Sequence, residues 1–223
     1  MAYGVLRRAG KALALVVVVA LASPAAAQTI TIAALGDSLT QGYGLAVEDG
    51  FVPQLQDWLT ARGHDVTLIN AGVSGDTTAG GLARIGWTLS ADVDALIVAL
   101  GGNDLLRGLP PETSRANLDG ILQAAGSADV PVLLVGFEAP GNYGPEFKAA
   151  FDAIYPELAA DYGVLHADSF LGPLTDAAAA DPRAALARYM QADGIHPNAT
   201  GVARIVEALG PLVEQLIAEV PRS

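Results

Sequence analysis

Three short runs are apolar at almost every position rather than at every second one: residues 29–35 (TITIAAL), 95–100 (ALIVAL) and 130–135 (VPVLLV). A strand of that kind must be covered on both faces, which is the condition of a parallel sheet between two helical layers. Residues 65–70 (DVTLIN) and 164–167 add a second and a fifth strand in chain order. Helical spacing separates them. Phe51, Leu55, Trp58 and Leu59 mark a helix over 51–62 that stops at Gly63, and Pro111 opens one over 111–125. A further helix is expected over 146–160. Residues 198–220 carry Val202, Ile205, Val206, Leu209, Leu212, Val213 and Leu216 on one stripe. The expectation is one α/β domain over residues 28–223, with no repeat and no linker.

The first 27 residues stand apart from this pattern. Arg7, Arg8 and Lys11 precede an unbroken apolar run of ten, and Ala25-Ala26-Ala27 then offers small residues at the positions a signal peptidase reads. Ten helical residues span roughly 15 Å, half of a ~30 Å hydrocarbon core. A cleaved export signal over 1–27 is therefore expected, with no stable membrane anchor and a periplasmic or extracellular destination. The whole chain carries 12 basic and 24 acidic residues, a net charge of -12. Nucleic acid needs a cationic face that so few basic residues do not build, so it is excluded as a partner. Cysteine is absent, which removes thiolate chemistry, disulfides and cysteine-held metals. His64, His166 and His196 leave little material for a histidine-based metal centre.

In an open parallel sheet, ligands bind beyond the carboxyl ends of the strands. The first strand runs into Gly36-Asp37-Ser38-Leu39, the second into Ser74-Gly75-Asp76-Thr77, and the third into Gly102-Asn103-Asp104. Asp193-Gly194-Ile195-His196-Pro197 precedes the last helix. A serine is a poor nucleophile until a base takes its proton. His196 is the candidate base, and Asp193 lies close enough on one turn to fix the imidazole tautomer. The backbone N–H groups of Ser38 and Gly75 and the Asn103 amide are candidate donors to an oxyanion. Each residue alone has a plainer reading: Ser38 as a helix cap, Asn103 and Asp104 as a turn, Gly75 as a positive-φ position, His196 as a loop residue. Their joint occurrence on successive strand ends favours catalysis. His64, His166, Met190, Trp58 and Trp87 are expected to be structural, the last three in the core.

These four blocks resemble those of the GDSL or SGNH hydrolases. Ser74-Gly75-Asp76-Thr77-Thr78, Gly81-Leu82-Ala83-Arg84, Leu105-Leu106-Arg107-Gly108, Pro140-Gly141-Asn142-Tyr143-Gly144 and Ala153-Ile154-Tyr155-Pro156 are similar to the secreted arylesterase, thioesterase and lysophospholipase group. The resemblance implies a flavodoxin-like three-layer α/β/α sandwich on a five-stranded parallel sheet. It also implies Ser38 as nucleophile, His196 as base, Asp193 as its orienter, and Ser38, Gly75 and Asn103 as oxyanion donors. Asp37, Asn142, Tyr143 and Ile195 are the implied substrate-binding residues, the implied partner is a small acyl or aryl ester, and the resemblance implies no metal or cofactor. A carbohydrate acetylesterase and a non-catalytic secreted binding protein are the competing expectations.

Overall fold

The computed structural model describes residues 29–89, 92–178 and 181–221, with Met1 and Gly4. The expected export signal, those two residues apart, lies outside the described residues. Five strands, β1 (Ile30–Gly36), β2 (Val66–Gly72), β3 (Ala95–Ala99), β4 (Val132–Val135) and β5 (Leu165–Ala167), form one parallel sheet in the order β2-β1-β3-β4-β5. The helices are α1 (Ser38–Gln41), α2 (Phe51–Thr60), α3 (Thr78–Thr88), α4 (Gly102–Leu106), α5 (Pro111–Ser127), α6 (Pro145–Asp152), α7 (Ile154–Tyr162), α8 (Gly172–Ala178), α9 (Pro182–Tyr189) and α10 (Ala199–Glu219). The α10 helix packs with α2, α8 and α9 on one face, and α3 and α5 pack together on the other. This is the flavodoxin-like three-layer arrangement expected.

The burial pattern explains why the apolar runs were legible. Every residue of β3 and β4 is buried, as are the last five of β1, whereas edge strand β2 exposes Thr67, Ile69 and Asn70. The long α10 starts at Asn198, whose side chain accepts from the Gly201 N–H at 3.0 Å. Its stripe buries Val202, Ile205, Val206, Leu209, Val213 and Leu216, while Leu212 is half-buried. Gly210 of α10 takes the Trp58 ring so closely that a Cβ there would sit 2.6 Å from it. Arg62 covers the same ring, its guanidinium carbon 3.4 Å from the centroid.

Three expectations need correction. The single helix over 146–160 is two, α6 and α7, broken at Ala153. Pro156 has no N–H, and its ring crowds the carbonyl four residues back, on Asp152, where α6 ends. Trp87 is 89% exposed rather than in the core. The buried stripe of α3 is Thr78, Gly81 and Ile85, and Trp87 falls off that stripe. The α3 helix itself went unread because Gly80, Gly81 and Gly86 depress its propensity. It is held instead from outside. The buried Asp104 carboxylate accepts from the Thr78 N–H at 2.9 Å and the Thr78 hydroxyl at 2.6 Å. A Cβ on Gly81 would lie 2.1 Å from the Leu100 side chain, so glycine permits the close approach of helix to sheet.

This topology reverses direction between β1 and β3, and the crevice of a doubly wound sheet opens at such a reversal. In register, Gly36 lies opposite both Gly72 and Ala99, so β1, β2 and β3 end almost level. Their three following loops therefore meet at one edge.

Candidate active site

Ser38 is the first residue of α1, immediately beyond β1. It is not the cap of that helix. Asp37 is, its Oδ1 accepting from the Leu39 N–H at 3.0 Å. Ser38 Oγ is consequently left free to donate to His196 Nε2 at 2.9 Å. His196 Nδ1–H donates to Asp193 Oδ2 at 2.6 Å, while Asp193 Oδ1 accepts from the backbone N–H groups of Ile195 and His196 at 2.9 and 3.0 Å. Gly194, at φ +68°, makes that tight turn possible. The backbone N–H of His196, then its ring and the Ile195 N–H, hold the Asp193 carboxyl down at about 2. An acceptor ionised at neutral pH fixes the tautomer that leaves Nε2 facing the serine.

The imidazole is braced by one further side chain, which a second holds in place. The Tyr43 ring lies against it, centroids 4.7 Å apart. Gln191 Nε2 donates to the Tyr43 and Pro197 carbonyls at 2.8 and 3.0 Å, tying the Tyr43 loop to the histidine loop. Sequence reasoning missed Tyr43 and Gln191. Only a tyrosine between Gly42 and Gly44, five residues past Ser38, marked the first of them.

The three expected donors stand in the segments that follow β1, β2 and β3. Asn103 is the second residue of α4 beyond β3, and its Nδ2 donates one hydrogen to Asp37 Oδ2 at 3.2 Å, keeping the second. Gly75, at φ +84°, is the third residue of a turn closed by the Asp76 N–H on the Val73 carbonyl at 3.0 Å. The backbone N–H groups of Ser38 and Gly75 have no hydrogen-bond partner among the described residues. Arg84 ties the strand ends behind them. It donates to the Gly36 and Ala71 carbonyls at 2.8 and 2.6 Å and to Asp76 at 2.6 Å.

Asp37 is 2% exposed, and both its oxygens are engaged by protein donors. Burial raises its carboxyl to about 6, against the opposing pull of the Leu39 N–H, Asn103 and His196. A carboxyl that titrates higher folded than unfolded binds its proton more tightly in the native state. Its contribution to stability is full below about pH 4 and lost as pH rises through 6. Between those limits wild type should lose up to about 3 kcal/mol relative to Asp37→Asn, which has no proton to release. Urea midpoints of both proteins at pH 4 and 7 measure this, and parallel curves would contradict it.

A cavity of about 630 Å³ opens from Ser38 and Asn103. Leu105, Leu106, Phe137, Ala139 and Pro140 line it, together with Asp37, Asn142, Tyr143 and Ile195, the residues that the resemblance assigns to the substrate. Tyr143 rests on Phe147, centroids 4.9 Å apart, and against Gly108, where a Cβ would come within 2.9 Å of its ring. Lys148 Nζ anchors the same loop through Glu138, the Ala139 carbonyl and Asp152, each at 2.8 Å. The other two histidines lie elsewhere. His64 pairs with Glu214 at 2.8 Å, and His166 of β5 stands 3.7 Å from Asp168.

Residues 34–204 match the model of the GDSL-like Lipase/Acylhydrolase family. The chain belongs to that family. Esterase TesA of Pseudomonas aeruginosa is 38% identical over 200 residues, 89% of this chain and 94% of that protein. Thioesterase 1/protease 1/lysophospholipase L1 of Escherichia coli (strain K12) is 34% identical over 199 residues, 86% of each chain. The crystal structure of AlinE4, an SGNH-hydrolase family esterase, is 41% identical and superposes with a TM-score of 0.67 over 86% of this GDSL-like hydrolase and 98% of that chain.

Proposed function

We propose that this GDSL-like hydrolase is an exported serine esterase that cleaves acyl and aryl esters through an acyl-enzyme. The observation that carries the reading is the relay from Asp193 through His196 to Ser38, at 2.6 and 2.9 Å, at the mouth of an apolar cavity. His196 takes the Ser38 proton as Oγ attacks the carbonyl carbon. The tetrahedral oxyanion is met by the Ser38 and Gly75 N–H groups and by the unused hydrogen of Asn103 Nδ2. His196 then passes its proton to the leaving oxygen, the ester C–O bond breaks, and the same base activates water to release the acid.

The cavity supports acyl chains longer than acetate. Its leucine and phenylalanine walls gain about 0.8 kcal/mol for each methylene they bury. Thioesters and lysophospholipids offer the same acyl carbonyl, in keeping with the name of the Escherichia coli relative. Polyphosphate carriers are disfavoured, because a chain with net charge -12 repels them. Export rests on Arg7, Arg8, Lys11 and the apolar run behind them.

A p-nitrophenyl ester series from two to twelve carbons tests the reading. The expected kcat/KM rises several-fold from acetyl to hexanoyl or octanoyl esters. A sharp maximum at acetyl would point to a carbohydrate acetylesterase instead.

A further inference from the structure

The turn that presents the Gly75 N–H is of a kind that can present it the wrong way. Val73, Ser74, Gly75 and Asp76 form a β-turn with positive φ at its third residue only, since Ser74 is not among the positive-φ positions. That is a type II turn. Its central peptide carries the Gly75 N–H, and turning this one peptide over converts type II into type I, with the N–H aimed to the opposite side. Glycine at the third position, free to take a positive φ, favours the type II arrangement. The turn as a body must still be held in place against the other two donors.

Two side chains hold it, one at each end. Ser74 Oγ donates to Gln41 Oε1 at 2.8 Å, which ties the entry of the turn to the last residue of α1, the helix that begins with Ser38. Arg107 Nη2 donates to the Gly75 carbonyl at 2.7 Å, which ties its exit to the C-terminal end of α4, the helix that carries Asn103. The three donors are thus linked through side chains, although they follow three different strands. Arg107 is exposed and has no carboxylate within ion-pair distance among the described residues. Its described polar contact is this one carbonyl.

We infer that Arg107 is a positioning residue for the oxyanion site, holding the Gly75 turn against α4, the helix that carries Asn103, through the Gly75 carbonyl. The inference rests on the esterase reading and on Gly75 as a donor. Arg107 touches no reacting atom. Its loss leaves ground-state binding in the cavity intact and weakens only the contact made as charge develops on the carbonyl oxygen.

The test compares kcat and KM on p-nitrophenyl hexanoate for wild type, Arg107→Ala, Arg107→Lys, Gly75→Ala and the double variant, beside Ser38→Ala. Arg107→Ala should lower kcat roughly tenfold, the range of one charge-assisted hydrogen bond, with KM within about twofold. Arg107→Lys should recover part of that loss, since an ammonium can donate to the same carbonyl. In the Gly75→Ala background, where alanine strains the positive φ, removing Arg107 should cost less than about twofold more. Wild-type kcat in Arg107→Ala would overturn the inference, as would losses that multiply in full in the double variant. Wild-type kcat in Gly75→Ala would overturn it too while leaving the serine esterase standing. Activity surviving in Ser38→Ala would overturn that underlying reading instead.

Discussion

Ser38→Ala should lower kcat for any p-nitrophenyl ester by at least about 10⁴-fold, the scale on which removal of a serine nucleophile acts. Ser74 is committed to Gln41 at 2.8 Å and stands on the β2 side of the site, away from the cavity. Ser169 lines the cavity, but the single hydroxyl within reach of His196 is that of Ser38 among the described residues. The variant should fold, because Asp37 and not Ser38 caps α1. Steady-state rates with matched circular dichroism spectra measure the loss. A decrease of tenfold or less would mean that another group carries the acyl transfer.

Asn103→Ala should cost about 10²–10³ in kcat while KM changes by less than about threefold. Two effects combine at this side chain. In the proposed mechanism one Nδ2 hydrogen meets the developing oxyanion, so its loss should act only in the transition state. The other binds Asp37 Oδ2 at 3.2 Å, so the alanine variant leaves that buried oxygen without its donor. Asn103 is one of the groups that lower the Asp37 carboxyl against its burial. Removing it should therefore move that titration above about 6 and stretch the pH range over which stability falls. Kinetics and urea midpoints across pH 4 to 8 separate the two. A raised KM with unchanged kcat would place Asn103 in ground-state binding instead.

The parts of this molecule that were legible in the sequence are those where one local pattern decides the outcome. The runs that became β1, β3 and β4 are apolar throughout because those strands are covered on both faces, and no other arrangement hides them. The loops after β1, β2 and β3 announced themselves through residues that ordinary turns do not require in combination. The turn Asp193 to His196 was readable because a three-residue spacing places the carboxylate both on the backbone N–H groups and on the ring. What stayed hidden depends on distant partners. The glycine-rich α3 is a weak helix by itself and stands because Asp104, 26 residues away, binds Thr78. The break between α6 and α7 could have been read from Pro156, since a proline that deep in a helical pattern rejects the carbonyl four residues back. Trp87 misled because a large aromatic suggests a core, whereas its angular position on α3 faces water. The bracing of His196 by Tyr43, and of the Gly75 turn by Arg107, crosses 153 and 32 positions of sequence. No spacing rule links such residues before the chain is folded.

The central claim is that Ser38 forms a covalent bond to the acyl carbon during turnover. A fluorophosphonate reports on this directly, because it phosphonylates a serine that a base has activated and leaves ordinary hydroxyls alone. Peptide mass spectrometry after stoichiometric treatment should find one phosphonyl group, on the peptide carrying Ser38, with activity lost in proportion to labelling. Ser38→Ala and His196→Ala should remain unlabelled. A label on any other residue, or full labelling with activity intact, would contradict the account.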